Sequence, residues 1–278
     1  MPITEKERKY LKNKHRGGKN NSKGAIYESF YAVYCIAYLM DKFITNLESI
    51  QFTSQVENTF VDDLLIEINQ TEKSYYQLKN VKDLTWSTGK LKYDFKRQME
   101  ISKERGENFN LRLIYSSPNS TVANIPHDIS EHTTASFFPA CESLNQLLQS
   151  CEYFKKAIKS ITASDDIKDD QLFGVAGTLL GVWDGCEQKH ISLKQISDKV
   201  LQIGSGLVNI KSYLDTNISE ECKTIFKKCG VSTHSRGIKL YWSYEGKLKG
   251  EICWSDEVEH RIIETNPSSL YELLELLY

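Results

Sequence analysis

The stretch 60-FVDDLLIEINQTEKSYYQLKNV-81 decides the fold of this chain. It contains two runs rich in Val, Ile, Tyr and Phe, at 60–68 and 73–81, and this composition is typical of β-strands. The polar residues at 69–72 between the two runs predict a tight turn. A third run of the same kind, IQFTSQ at 50–55, comes shortly before. The sequence therefore predicts a meander of three strands.

Predicted helices and one further strand flank this meander. A nearly all-apolar segment at 25–40 predicts a buried helix over about 24–46. Residues 91–105 have apolar side chains at helical spacing with basic residues between them, and they predict an amphipathic helix. Residues 110–117 predict a fourth strand. This order of elements predicts an α/β fold in which helices flank a mixed sheet.

The pattern changes after residue 140, where several predicted helices follow one another. Near the end of the chain, 236–256 predicts a β-hairpin that turns at Glu245–Gly246, and a short helix follows it. We therefore predict three parts: a basic flexible arm (1–23), an α/β domain (24–140) and a mostly helical domain with a terminal hairpin and helix (141–278).

Charge is distributed unevenly along the chain. Residues 1–25 carry eight Lys or Arg and two Glu, a net charge of +6, whereas all 278 residues together have a net charge of −2. Such a basic arm is typical of segments that follow nucleic-acid phosphates, and equally of solvated termini that improve solubility. The seven cysteines are dispersed, which is typical of a protein in the reducing cytoplasm. The N-terminus is charged, and the apolar segment at 25–40 is too short to span a membrane, so we predict a cytoplasmic protein without membrane contact.

Polar residues on the two central strands form the candidate site. Strand alternation places Gln77 and Lys79 on one face, about 7 Å apart, with Leu78 directed into the core between them. Asp62 and Asp63 face opposite sides of their strand, so only one of them is expected to reach Gln77 and Lys79. We expect this residue to be Asp63, which directly precedes the apolar run, with Asp62 as the alternative. Oxygen ligands beside a lysine are what metal-dependent phosphodiester cleavage needs.

These motifs resemble the PD-(D/E)XK restriction-endonuclease-like superfamily. The resemblance is carried by Gly24 to Glu28, Asp62-Asp63-Leu64 and Gln77-Leu78-Lys79, and it covers about residues 20–120. Trp86 and the amphipathic helix that follows are similar as well. In particular, the chain is similar to the double-stranded DNA endonuclease domains that act as effectors in antiphage systems such as CBASS and Lamassu. The resemblance implies a restriction-endonuclease-like mixed sheet.

Gln77 departs from the superfamily pattern, in which Asp or Glu is commoner. A Gln oxygen can bind a cation but carries no negative charge, so a Mg²⁺ site needs another carboxylate. Glu28 lies in an otherwise apolar segment, where an uncompensated acid is costly and metal ligation would offset the cost. The resemblance likewise implies Glu28 as a ligand. We predict that Mg²⁺, with Mn²⁺ as a substitute, binds Asp63, Glu28, the Gln77 amide oxygen and the Leu78 carbonyl, while Lys79 orients the attacking water.

The resemblance implies a metal-dependent deoxyribonuclease, the effector of a prokaryotic antiphage or anti-plasmid system. The sequence has no P-loop, so ATP-driven sensing would belong to partner proteins such as an SMC-like ATPase or another sensor subunit. The C-terminal part would then dock a partner or regulate the nuclease. Two alternatives stay open, a stand-alone type II restriction endonuclease and a catalytically inactive nuclease-fold subunit that binds DNA or acts as a scaffold. Self-association also stays open.

Overall fold

The computed structural model describes residues 3–18, 22–162, 167–186, 190–203, 208, 218–236 and 239–277. The chain divides into two compact units, Met1–Val208 and Asn209–Tyr278. The first unit contains a six-stranded mixed sheet with helices, and the second contains a three-stranded antiparallel sheet with helices. The α/β class with a mixed sheet flanked by helices, predicted from the order of elements, is confirmed.

The first unit holds most of the secondary structure. Its helices are α1 (Glu5–Gly18), α2 (Ser22–Lys42), α3 (Leu91–Glu104), α4 (Leu144–Ser150), α5 (Glu152–Ser160), α6 (Asp169–Asp184) and α7 (Leu193–Ile203). Its strands are β1 (Ile50–Ser54), β2 (Leu64–Ile68), β3 (Glu72–Lys79), β4 (Asn108–Tyr115), β5 (Thr133–Phe137) and β6 (His190–Ser192). Among the described residues, no helix combines the length and apolar character that crossing a membrane requires.

The sheet has the strand order β5-β4-β3-β2-β1-β6. Strands β1 to β3 form the predicted meander, and Leu64 of β2 lies opposite Tyr76 of β3. Strands β3, β4 and β5 run parallel to one another, whereas β6 is antiparallel to β1. Three residues, 69–71, join β2 to β3, and Asn69 and Gln70 have φ angles of 53° and 60°, as the two central residues of a type I′ turn require. The pairing of Leu64 with Tyr76 places Asp63 level with Gln77 at the end of the two strands.

Helices cover both faces of this sheet. On one face, Phe95 of α3 shares a buried cluster with Tyr75 and Leu111. On the other face, the ring of Tyr31 in α2 lies 5.7 Å from that of Tyr76. Tyr75 and Tyr76 are consecutive on β3, so their side chains point to opposite faces. Burial on both faces explains why β2 begins with three consecutive apolar residues, 64–66, rather than with an alternating pattern.

The basic segment predicted as a flexible arm (1–23) contains the regular helix α1. That prediction was wrong in this respect because the density of charges hid a short apolar stripe. Leu11 is 5% exposed and packs in a small cluster with Phe60 and Ile101, with Tyr10 beside it. Burial of this stripe stabilises a helix that its charged residues alone would not.

The predicted boundary between residues 140 and 141 does not coincide with the division of the chain. Helices α5 and α6 pack against α2, and β6 pairs with β1 at the edge of the sheet. The Phe52 ring of β1 lies 6.1 Å from the Trp183 ring of α6. Residues 141–208 therefore belong to the first unit, and the division falls after Val208. The apolar side of a helix can be read from its sequence, but the sequence does not show which element that side packs against.

Over its described residues, 218–236 and 239–277, the second unit is a three-stranded meander with three helices. Its elements are α8 (Glu220–Lys228), β7 (Val231–Arg236), β8 (Lys239–Tyr244), β9 (Leu248–Cys253), α9 (Asp256–Thr265) and α10 (Leu270–Leu277). Strands β8 and β9 form the predicted hairpin, with Glu245 and Gly246 in the turn at φ angles of 49° and 69°. Strand β7 was not predicted, and it turns the hairpin into a sheet with the order β7-β8-β9.

Candidate active site

Asp63 lies just before β2 and contacts the last residues of β3. Its Oδ2 accepts hydrogen bonds from the Gln77 side-chain amide and, at 2.6 Å, from the backbone N–H of Leu78. The Lys79 ammonium lies 3.9 Å from the same oxygen. The antiparallel register explains this meeting, because it brings the start of β2 level with the end of β3. The structure thus brings Asp63, Gln77 and Lys79 together.

Asp62 has a different neighbour. It is 5% exposed, and its Oδ1 lies 3.1 Å from the Nζ of Lys14 in α1. Consecutive side chains on an extended segment point in opposite directions, so Asp62 and Asp63 contact different groups. Of the two aspartates that the sequence left open, Asp63 is the one that contacts Gln77 and lies beside Lys79.

Glu28 approaches Asp63 from α2. The two carboxylates line one pocket of about 200 Å³, together with Gln55 at the end of β1. Glu28 Oε2 accepts a hydrogen bond of 2.8 Å from Gln55 Nε2, and Gln55 adopts a left-handed φ of 51°. Burial and, secondly, the Asp63 carboxylate raise the pKa of Glu28 to about 7. Two carboxylates that disfavour each other's charge are stabilised by a cation placed between them.

A second polar cluster surrounds the ammonium group of Lys14. Its Nζ lies 2.5 Å from the Phe60 carbonyl oxygen and 3.0 Å from Gln77 Oε1. It also lies 3.1 Å from Asp62 Oδ1 and 3.2 Å from Asp94 Oδ2. Burial raises the pKa of both aspartates. Burial alone would lower the pKa of Lys14, but the two carboxylates outweigh it and raise that pKa.

The Gln77 side chain links the two clusters. Its Oε1 accepts a hydrogen bond from Lys14, and its Nε2 donates one to Asp63. Turning the amide over would place its NH₂ group against the ammonium, and two donors cannot bond to each other. Lys14 therefore determines the orientation of the amide. The predicted role of Gln77 as an oxygen ligand beside Asp63 does not fit this arrangement, because the amide presents its nitrogen there.

The donor set around Asp63 fits a divalent cation in part. The carboxylates of Asp63 and Glu28 line one pocket, and hard cations prefer such oxygens. The N–H of Leu78 points to Asp63, and the carbonyl of the same strand residue points to the same side of the strand. Over the described ranges, no three His, Cys, Asp or Glu side chains form a group that could hold a metal ion. A cation beside Asp63 would therefore also need main-chain or water oxygens.

Sequence reasoning missed Lys14 and Asp94. For Asp94 a signal existed, since it lies at helical spacing among the buried residues of α3, which are Leu91, Phe95, Gln98, Ile101 and Ser102. An acid on the apolar face of an amphipathic helix is the same anomaly that singled out Glu28. Lys14 gave no such signal, because it is one of eight basic residues in a short charged segment.

Two other features near the site have structural partners. Trp86 is 9% exposed and donates its indole N–H to the Val122 carbonyl at 3.0 Å, so it is a packing residue. On the basic face of α3, Lys92 pairs with Asp128 at 2.9 Å. Ion pairs at the surface contribute little to stability, so this pair would not prevent Lys92 from contacting a phosphate group instead.

Comparisons of the chain with protein-family models, with curated proteins and with solved structures find no match. The relationship to the PD-(D/E)XK superfamily and the restriction-endonuclease-like fold therefore stay predictions from the sequence motifs.

Proposed function

We propose that this chain is a Mg²⁺-dependent DNA endonuclease, which hydrolyses phosphodiester bonds of DNA at an active site that contains Asp63. The observation that supports this most directly is the position of the Asp63 carboxylate. It lines one pocket with Glu28 and lies 3.9 Å from the ammonium of Lys79. Two carboxylates in one pocket, with a lysine beside one of them, are groups that metal-dependent phosphodiester hydrolysis uses.

Each of these side chains has a role in the proposed reaction. Asp63, Glu28 and the Leu78 carbonyl would hold the cation. When bound, Mg²⁺ would polarise the scissile phosphate and lower the pKa of a coordinated water. The Lys79 side chain is 34% exposed, so its ammonium can contact a phosphate oxygen of DNA while it stays beside Asp63. We assign to Lys79 the orientation of the attacking water and the compensation of charge on the phosphate.

The proposed biological setting is double-stranded DNA in the prokaryotic cytoplasm, with the chain as effector of an antiphage or anti-plasmid system. This part of the proposal rests on the resemblance carried by the Asp-Asp-Leu and Gln-Leu-Lys motifs. A sensor subunit, such as an SMC-like ATPase, would then trigger cleavage. A neighbouring gene for such an ATPase or for a nucleotide cyclase would support this setting, whereas a lone methyltransferase gene would favour a type II restriction endonuclease.

Cleavage of supercoiled plasmid DNA in Mg²⁺ tests the proposed activity. We expect the wild-type chain to nick or linearise the plasmid, and EDTA to abolish cleavage. Lys79→Ala is expected to lower the rate by about 100-fold or more, because it removes charge compensation in the transition state. Asp63→Asn is expected to have at least as large an effect, because it removes a metal ligand. The measurement is the initial rate of loss of supercoiled DNA on a gel.

Lys82→Ala is the matched control, since Lys82 is an exposed lysine just after β3. This variant is expected to cleave at the wild-type rate. Cleavage by Lys79→Ala at the wild-type rate would show that the site is elsewhere. If the wild-type chain does not cleave, calorimetric titration with Mn²⁺ still tests the site, because Asp63→Asn and Glu28→Gln should then each lose a bound ion.

A second candidate function is a nuclease-fold subunit that binds DNA without cleaving it. The observation in its favour is Gln77, which is neutral and directs its amide nitrogen, not its oxygen, to Asp63. This candidate predicts DNA binding in a gel-shift assay that Lys79→Ala leaves unchanged, and no cleavage under any metal condition. Metal-dependent cleavage by the wild-type chain would exclude it.

A further inference from the structure

The cluster around Lys14 is a cage of oxygen atoms with a cationic group at its centre. Four oxygens lie 2.5 to 3.2 Å from one nitrogen atom. They come from the carboxylates of Asp62 and Asp94, the amide of Gln77 and the main-chain carbonyl of Phe60. An all-oxygen set of this kind, with two negative charges, is the donor set that hard divalent cations select.

The ammonium fills this cage without satisfying it. One ammonium faces two buried carboxylates, of which Asp94 also accepts hydrogen bonds of 3.0 and 3.1 Å from the Tyr10 hydroxyl. Asp62 is 5% exposed, and its Oδ1 makes no hydrogen bond of acceptable geometry although the ammonium is 3.1 Å away. A divalent cation would balance the charge of both carboxylates, and Ca²⁺, whose coordination geometry is flexible, could also bind the Asp62 oxygen.

We propose that Phe60, Asp62, Gln77 and Asp94 form a latent divalent-cation site, which the Lys14 ammonium occupies while α1 is docked. The Phe60 oxygen already lies at 2.5 Å from the nitrogen, and the other three oxygens, at 3.0 to 3.2 Å, would have to move inward by up to about 0.9 Å to bind Ca²⁺, because this ion binds oxygen at about 2.3 to 2.6 Å. This site is separate from the proposed nuclease site at Asp63, and ion binding to it does not require that the chain cleaves DNA.

Docking of α1 controls access to the cage. Besides Lys14, α1 is held by Leu11, which is buried, and by Glu7, whose carboxylate lies 2.7 Å from the Arg97 guanidinium of α3. If α1 withdraws, Gln77 loses the donor that fixes its amide and becomes free to turn its oxygen toward Asp63. A cation bound in the cage would instead keep the Gln77 oxygen there, so this amide oxygen can serve only one of the two sites at a time.

Lys14→Met tests the latent site, since methionine keeps an unbranched apolar stem and removes the charge. We expect calorimetric titration with Mn²⁺ to show one more bound ion per chain than in the wild type. We also expect Mn²⁺ to raise the midpoint of thermal unfolding of Lys14→Met more than that of the wild type. Lys12→Met is the matched control, because Lys12 is an exposed lysine on the same helix. It should bind as many ions as the wild type.

Two double variants separate this site from the proposed nuclease site. Lys14→Met with Asp94→Asn should lose the additional ion, because one carboxylate of the cage becomes neutral. Lys14→Met with Asp63→Asn should keep it, whether or not the chain is a nuclease. Equal ion numbers in Lys14→Met and the wild type would overturn the proposal and leave Lys14 as a structural partner of the two aspartates.

Folding of the variant is part of the test. If Lys14→Met folds only when Mn²⁺ is present, the dependence supports the proposal, because the ion then replaces the lost ammonium. If it folds under neither condition, hydrogen exchange in the wild-type chain decides. Millimolar Mn²⁺ should compete with Lys14 and speed amide exchange in α1, and exchange that Mn²⁺ leaves unchanged would overturn the proposal.

Discussion

Burial controls the chemistry of individual ionisable side chains in this protein. Loss of hydration raises the pKa of Glu28 to about 7, and it raises the pKa of the Cys35 and Cys222 thiols to about 12. The effect has different consequences for the two kinds of group. A carboxylate of this kind is ready to bind a cation, whereas a thiol with a raised pKa stays protonated and unreactive at neutral pH.

The reactivity of the cysteines provides a test at the residue scale. At pH 8, Cys35 and Cys222 are expected to resist iodoacetamide in the folded chain. Only the thiolate reacts, and this pH is well below the pKa of both thiols, so both stay protonated. Cys141 and Cys186 are partly exposed and should be modified first. Peptide mass spectrometry after native labelling measures the order, and labelling in denaturant is the control in which all four should react. Early native modification of Cys35 would contradict its burial in α2.

At the scale of elements, one cross-strand pair limits what the β8–β9 hairpin tolerates. Gly250 of β9 lies opposite Trp242 of β8. A Cβ atom at position 250 would lie 2.6 Å from the indole ring, so the ring covers the glycine directly. Trp242 is 7% exposed and belongs to the core of the second unit. The absence of a side chain at 250 is therefore what allows the indole to lie flat on the strand.

Gly250→Ala is expected to destabilise the second unit by about 1–3 kcal/mol, since the added methyl group forces the indole out of its place. Urea denaturation followed by tryptophan fluorescence measures this change. Lys249→Ala is the control on the neighbouring exposed position, and we expect it to stay within about 0.5 kcal/mol of the wild type. Equal stability of Gly250→Ala and Lys249→Ala would mean that the indole can shift without cost.

At the scale of the whole molecule, each of the two units has buried hydrophobic side chains of its own. Phe52, which is fully buried, belongs to the first unit, and Phe226, which is 1% exposed, belongs to the core of the second. A unit of about 70 residues has a small core, so it is expected to be the less stable of the two. Unfolding should therefore proceed in two steps.

Substitutions in each core test the two-step unfolding. Phe226→Ala is expected to cost about 3–5 kcal/mol and to lower only the first thermal transition, which we assign to the second unit. Phe52→Ala should lower only the other transition by a comparable free energy. Differential scanning calorimetry of the full chain measures both. A single transition that both substitutions shift together would show that the chain unfolds as one cooperative unit.

Local sequence patterns were sufficient for the elements that form the centre of the site. The period of two along a strand and the short polar turn at 69–72 determine the register of β2 and β3, and this register predicts that Asp63, Gln77 and Lys79 meet. The hairpin turn at Glu245–Gly246 was predictable for the same reason. Both depend only on residues close together in the chain.

What the tertiary structure decided depends on residues far apart in the chain. Three features are of this kind: the helix at the N-terminus, the position of residues 141–208 in the first unit, and the third strand of the second unit. Each depends on burial against elements that cannot be identified from the local sequence. The orientation of Gln77 shows this most clearly, because it is determined by Lys14, 63 residues earlier in the chain. Hydrogen bonds and buried charges are satisfied by whichever groups the fold brings within about 3 Å, and sequence distance does not enter.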